Sequence, residues 1–319
     1  MSQTKDKIKV GILRGGENAY YAPSLIKGGE IISNIFDNLS EKYKVLDILI
    51  DKKGVWHLNG IPVNPADLSR KVDIIWNTSR QPSFSQLLQG LSIPSVGNES
   101  FVRVLESNRE MFRSHMKNIG VRMPKSVVLP FFQEDFDLRY AEGFDKASGP
   151  KEEYAVRKAR EIFEKFSSPW MVKSLTDDAG MGIHLAKTFP ELVRAIEDGV
   201  EHNRSITVEE FITGRALGVY SINGFRREDI YVITPDKFTV TEKEKLASIV
   251  KDVHKYLGVE NFMKSDFILH PKMGFFLTNI DYLPDLREGS HFYLACEYVG
   301  AKMHHILDHI LEKAINKRT

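Results

Sequence analysis

The 319-residue sequence has one cysteine, Cys296. A lone thiol forms no disulfide within its chain, which fits a reducing cytoplasm. Cys296 lies in the apolar-rich helical pattern FYLACEYVG, where packing is its expected role. No run approaches the ~18 apolar residues that a spanning helix needs. The opening MSQTKDKIKVGILRGG has no long apolar core and no cleavage site. A soluble, cytoplasmic protein with no membrane partner is expected. Neither sign of charge dominates: 44 Lys and Arg face 43 Asp and Glu, a net charge of +1. Bulk charge therefore asks for no nucleic-acid partner. Internal repeats and low-complexity tracts are also missing. What remains is an ordinary globular composition, 42% hydrophobic and 27% charged, on a chain long enough for two or three subdomains.

Strands and helices alternate at the start. IKVGILR reads as a buried strand ending in Gly15-Gly16, followed by a helix from Pro23 to about Leu39. YKVLDILI is a strand, GVWHLNGIPV a hairpin turning at Asn59-Gly60, and VDIIWN another strand. The order implies an open parallel sheet over residues 1–97. A helical pattern from Ser100 to Gly120 follows, then the strand PKSVVLPF, a polar insertion over 133–153, and a helix over 155–166. A third region begins near Thr213. Its helix has Thr241 as expected N-cap, with Glu244 completing a capping box. KSDFILHP and GFFLTNI form a hairpin, and a closing helix runs from about His291 to Lys317.

Three stretches have the residue types of a phosphate or metal site. In PWMVKSLTDDAGMGIHL a lysine ends an apolar strand and a loop with Gly180 and Gly182 follows. Such loops offer free backbone N–H groups to phosphate beside a cationic point charge. The same stretch also reads as a Gly-rich hairpin turn. In SITVEEFI a strand ends in Glu209-Glu210, acceptors for an adenine amine or ribose hydroxyls, or two solvated carboxylates. In KSDFILHPKMGFFLTNID the hairpin sets Asp266 against Asn279 and Asp281. Hard oxygen ligands of this kind suit Mg²⁺, which takes one or two carboxylates plus phosphate oxygens and water. Polar residues on a surface hairpin are the alternative.

The order of these pieces resembles the ATP-grasp superfamily, and the chain looks most like the D-alanine–D-alanine ligase family. IKVGILRGG is similar to that family's first strand and Gly-Gly turn, GLSIPSVGN to its GIPYVGS, and VKSLTDDAGMGI to its glycine-rich loop. TVEEFITGR resembles VEEFIxGRE, and SDFIL with FFLTNIDYLPD resembles VDFFL with YLNEINTLPG. The resemblance covers nearly the whole chain. It implies an α/β ATP-grasp fold: an N-terminal Rossmann-like parallel-sheet (pre-ATP-grasp) domain over 1–97, and two α+β ATP-grasp subdomains over 98–212 and 213–319. It implies ATP and Mg²⁺ as cofactors, D-alanine or a similar small amino acid as substrate, a place in peptidoglycan synthesis, and a homodimer. By position, Arg109 and Lys173 match the two ATP lysines, and Glu209 and Glu210 the adenine-side strand. Asp266, Asn279 and Asp281 match the metal ligands, Lys264 the oxyanion arginine, and Ser290 the serine that binds the acceptor's carboxylate.

The departures fall on functional positions. Tyr20 stands where the family has the glutamate that holds the first substrate's ammonium. Ala179 replaces the glycine-rich loop's serine, Ala216 the ribose-binding acid, and Asp285 the glycine whose N–H faces the oxyanion. TPDKFTV alone separates a strand from the next helix, where the family has a long lid. Two readings follow: an ATP-dependent carboxylate–amine ligase with this or another amino-acid substrate, and a non-catalytic relative that binds nucleotide or a partner.

Overall fold

The computed structural model describes residues 6–16, 21–79, 81–97, 105, 108–129, 151–174, 182–202, 205–235, 238–282 and 285–316. The chain divides into two compact units. The first holds Met1–Val104, Leu217–Asp266 and Asn279–Thr319; the second holds Leu105–Ala216 and Phe267–Thr278.

In the first unit, β1 (Ile8–Gly15) lies central in a six-stranded sheet with β2 (Tyr43–Ile50), β3 (Trp56–Leu58), β4 (Ile61–Pro62), β5 (Ile74–Asn77) and β6 (Ser95–Val96). The strand order is β4-β3-β2-β1-β5-β6. β1 pairs in parallel with β2 and β5, and β5 with β6, while β3 and β4 are antiparallel additions. Val10 and Ile12 share one core with Ile31 and Ile35 of α1 (Tyr21–Leu39); Leu13 shares another with Phe84 and Leu88 of α2 (Pro82–Gly90). Coverage on both faces is why β1 reads as a nearly unbroken apolar run. The expected hairpin turn is present, with Asn59 at φ 50° and Gly60 at φ 82° between paired Leu58 and Ile61.

Gly15 ends β1 at φ +88°, and a Cβ there would lie 2.2 Å from the Ile50 carbonyl oxygen. Gly15→Ala therefore meets both the left-handed penalty of about 1–2 kcal/mol and a backbone collision. A loss of at least about 2 kcal/mol is expected in chemical denaturation; an unchanged midpoint would contradict this geometry.

The second unit contains α3 (Arg109–Asn118) and a four-stranded antiparallel sheet ordered β7-β10-β8-β9. Its strands are β7 (Ser126–Leu129), β8 (Trp170–Ser174), β9 (His184–Ala186) and β10 (Ile206–Glu210). Trp170, Val172, Ile206 and Val208 form one face, packed in a core with Ala159 and Ile162 of α4 (Lys151–Lys165) and Leu192 and Ile196 of α5 (Phe189–Glu201). The strand period of two sends Lys173, Thr207 and Glu209 to the opposite face.

A third sheet is ordered β12-β11-β13-β14, from β11 (Arg215–Asn223), β12 (Ile230–Ile233), β13 (Phe262–His270) and β14 (Gly274–Asp281). α6 (Val240–Leu257) buries Leu246, Val250, Val253 and His254. Its N-cap is Thr239, with Glu242 completing the capping box, two residues before the expected Thr241 and Glu244. TVTEKE contains the Thr-x-x-Glu spacing twice, and the helix starts at the earlier one. The closing helix is two: α7 (His291–Tyr298) and α8 (Met303–Asn316). Gly300, at φ +66°, accepts the left-handed turn that separates them. α4 begins at Lys151, four residues earlier than expected, while the insertion's 133–150 lies outside the described residues. The helical pattern from Ser100 is described at 105 and from 108 onward.

Candidate functional site

On the face of the second unit's sheet opposite the α4 and α5 core, the Lys173 ammonium lies 3.0 Å from the Glu209 carboxylate. The two side chains are 29% and 4% exposed. Antiparallel pairing explains the contact: Lys173 stands opposite Thr207, and Glu209 follows Thr207 by two on the same face, so the lysine reaches diagonally across the ladder. Thr207 is 1% exposed, and among the described residues its Oγ1 has no hydrogen-bond partner. Glu210 points to the other side of the strand, where its carboxylate accepts the Lys125 N–H at 3.2 Å. This face combines a cation, a hydroxyl and a carboxylate.

In the first unit, the carboxylates of the sequence-derived metal set meet lysines. Lys264 and Asp266, two apart on β13, pair at 2.9 Å and 3.1 Å through both carboxylate oxygens. Lys27 of α1 lies 3.7 Å from Asp281. Gly218 of β11 fits beside the first pair: a Cβ there would stand 3.4 Å from both Asp266 Oδ1 and Lys264 Cε. Two positions further along the same face is Tyr220, 4% exposed, its ring 4.6 Å from Phe292. Burial raises its phenol pKa, and the charges of Asp266, Asp281 and Asp285 raise it further. The Tyr220 hydroxyl thus feels three carboxylates drawn from β13, β14 and the segment before α7.

Asp285 is clamped by Arg287, with contacts of 2.6 Å and 3.0 Å, which hold its carboxyl below the usual range. Arg287 also lies 3.4 Å from Glu30, whose carboxylate accepts the Leu286 N–H and whose pKa is raised by burial. Ser290 caps α7: its hydroxyl donates to the Asp285 carbonyl at 2.9 Å and accepts the Tyr293 N–H at 3.2 Å. Asn279 is an exposed side chain on β14. Among the described residues, no three His, Cys, Asp or Glu side chains group as a metal site. The set here is two carboxylates and an amide, all hard oxygen donors. That chemistry fits one Mg²⁺, against competition from two ammonium groups. Cys296 is 1% exposed, and burial pushes its thiol up to about 12, so it packs as expected.

Tyr20, Ala179, Gly180 and the side chain of Arg109 lie outside the described residues. Sequence reasoning passed over Tyr220, Lys27 and Arg287. Tyr220 shares a strand face with Gly218, which the period of two could have signalled; Lys27 is 254 positions from its partner and carried no local sign.

Among the described residues, three sheets, one mixed and flanked by helices on both faces and one antiparallel with a lysine and a glutamate paired on one face, have the ATP-grasp fold. Over 97% of this chain and all of the other, the structure superposes on the VanG D-Ala:D-Ser ligase of Enterococcus faecalis with a TM-score of 0.73 at 18% identity. The D-alanine–D-alanine ligase of Bacillus anthracis complexed with ATP matches at 0.70 and 15%, covering 98% of this chain and 99% of that one. No family model matches the sequence. Among curated proteins, the D-alanine–D-alanine ligase of Christiangramia forsetii is 21% identical over 98% of this chain and 100% of its own length, and that of Oceanobacillus iheyensis is 22% identical over 98% and 96%. Over nearly its whole length the chain is similar to these D-alanine–D-alanine ligases, at about one identical residue in five.

Proposed function

We propose that this protein is an ATP-dependent carboxylate–amine ligase that joins small amino acids, D-alanine or one like it, in the cytoplasmic supply of peptidoglycan precursors. The observation that carries this reading is the Lys173–Glu209 pair on one sheet face, in a fold matched end to end by ligases. In the reaction, a carboxylate oxygen of the first amino acid attacks the γ-phosphorus of ATP and ADP leaves. The amine of the second then attacks the acyl carbonyl, loses a proton and expels phosphate.

Lys173 and Arg109 hold phosphate oxygens, and Glu209 serves the adenine side; the Glu210 carboxylate, on the other face of β10, accepts the Lys125 N–H instead. Asp266, Asn279 and Asp281 would hold Mg²⁺, which supplies charge neutralisation to the phosphates. Lys264, positioned by Asp266, faces the oxyanion of the tetrahedral adduct. Ser290 turns its O–H from the Asp285 carbonyl to the acceptor's carboxylate while keeping the Tyr293 N–H. The division 1–97, 98–212 and 213–319 and a homodimeric assembly belong to the same proposal.

The ion pairs favour a second reading, a non-catalytic nucleotide binder, because Lys264 and Asp266 engage each other. Phosphate release from ATP and Mg²⁺ with D-alanine, then with a panel of amino acids, separates the two. Amino-acid-dependent release is expected. Nucleotide binding with no release from any amino acid leaves the binder, and no ATP binding by calorimetry removes both.

A further inference from the structure

We propose that Thr207 is a nucleobase-recognition residue, its hydroxyl held in reserve under the Lys173–Glu209 pair for a neutral polar edge of the bound nucleotide. This deepens the ATP reading above and rests on it.

A hydroxyl that is taken from water and given no partner costs about 1–3 kcal/mol. Thr207 bears that cost: it is 1% exposed, and its Oγ1 has no partner among the described residues. The neighbouring positions on β10 show the alternative, since Ile206 and Val208 are buried apolar residues. Valine would fill the position of Thr207 with the same shape and no polar atom. The hydroxyl therefore does nothing for the fold that valine would not do better.

Its surroundings specify the missing partner. Lys173 stands directly opposite on β8, and Glu209 lies two residues further along the same face of β10. The ammonium reaches the Glu209 carboxylate diagonally across the ladder at 3.0 Å. A donor, a hydroxyl able to act either way, and an acceptor thus lie in one row. Phosphate is excluded from the hydroxyl, because Glu209, with its side chain 4% exposed, would repel an anion set against it. A neutral group with an acceptor beside a donor fits the row. The N7 and N6 edge of adenine presents that pair, whereas guanine presents two acceptors there and would leave Glu209 facing one.

Calorimetric titration of ATP and of inorganic triphosphate, each with Mg²⁺, into the full-length protein and its Thr207→Val and Thr207→Ser variants tests this, alongside melting of the free proteins. Thr207→Val should weaken ATP by about 3- to 10-fold. It should leave triphosphate affinity unchanged and melt no lower than the parent. Thr207→Ser keeps the hydroxyl and should bind ATP as the parent does. Equal ATP affinity of parent and Thr207→Val overturns the proposal while sparing the nucleotide reading. So does an equal weakening toward triphosphate, which would place the hydroxyl at the phosphates. If the parent itself binds no ATP, the nucleotide reading falls, and this inference with it.

Discussion

Replacing Lys173 by Met should lower ATP affinity by at least about 30-fold and destabilise the free protein by about 2–3 kcal/mol. Two consequences come from one side chain because the ammonium has two tasks. In the free protein it neutralises Glu209, whose side chain is 4% exposed. Removing one partner of a buried pair leaves the other charged and desolvated, at about 3–5 kcal/mol when both are fully buried. Lys173 is 29% exposed, so solvent screens part of the interaction and the lower figure applies. Adding Glu209→Gln to Lys173→Met removes the buried charge. Stability should then recover, while ATP binding stays lost. Urea denaturation of the single and double variants reads the first effect, and calorimetry the second. A Lys173→Met protein as stable as the parent would mean that the pair contributes nothing, and unchanged ATP affinity would remove Lys173 from the phosphate site.

The second large effect is with acid. His254 of α6 is 1% exposed, with its Nδ1 2.8 Å from the Ser221 hydroxyl. Its Nε2 has no partner among the described residues. Burial drives its pKa down to about 4, with the Lys313 cation adding to the fall; a backbone hydrogen bond at Val259 and the charge of Asp229 oppose it. Above the unfolded value of about 6.5 both states are neutral and stability is full. Between 6.5 and 4 the unfolded chain takes up a proton that the folded chain refuses, so stability falls as pH falls. Below 4 both states are protonated and this loss is complete. The span amounts to about 3 kcal/mol. Because surface carboxylates titrate in the same range, the readout is a difference. Stability of the parent, minus that of a His254→Leu/Ser221→Ala variant, should drop by that amount from pH 7 to pH 4. Parallel curves would show that His254 is protonated within the fold.

Much of the fold was legible because local signals agreed. The apolar run of β1, the Asn59-Gly60 turn and the amphipathic α5 each name one structure. The misreadings come from competing local signals. Thr239-Val-Thr-Glu and Thr241-Glu-Lys-Glu both satisfy the capping-box spacing, and the helix starts at the first. Apolar residues on both sides of Gly300 suggested one helix, where the glycine permits a reversal. At the candidate site, Lys173 and Glu209 could be named from their strand ends, but the diagonal that joins them depends on register. Arg287 beside Asp285 and Lys27 beside Asp281 were not legible, since residue type alone does not tell which cation meets which carboxylate.

Among the described residues, the six-stranded sheet ends on both sides in a two-residue strand. On one flank, Pro62 of β4 has no N–H to offer. On the other, Gly97 turns the backbone at φ +84° just past β6, against the Asn77 carbonyl. A passing strand finds too few free ladder groups at either margin to add itself. The largest sheet among the described residues is thereby protected from edge-to-edge polymerisation. When two copies of the chain meet, they must do so by some surface other than the margins of this sheet.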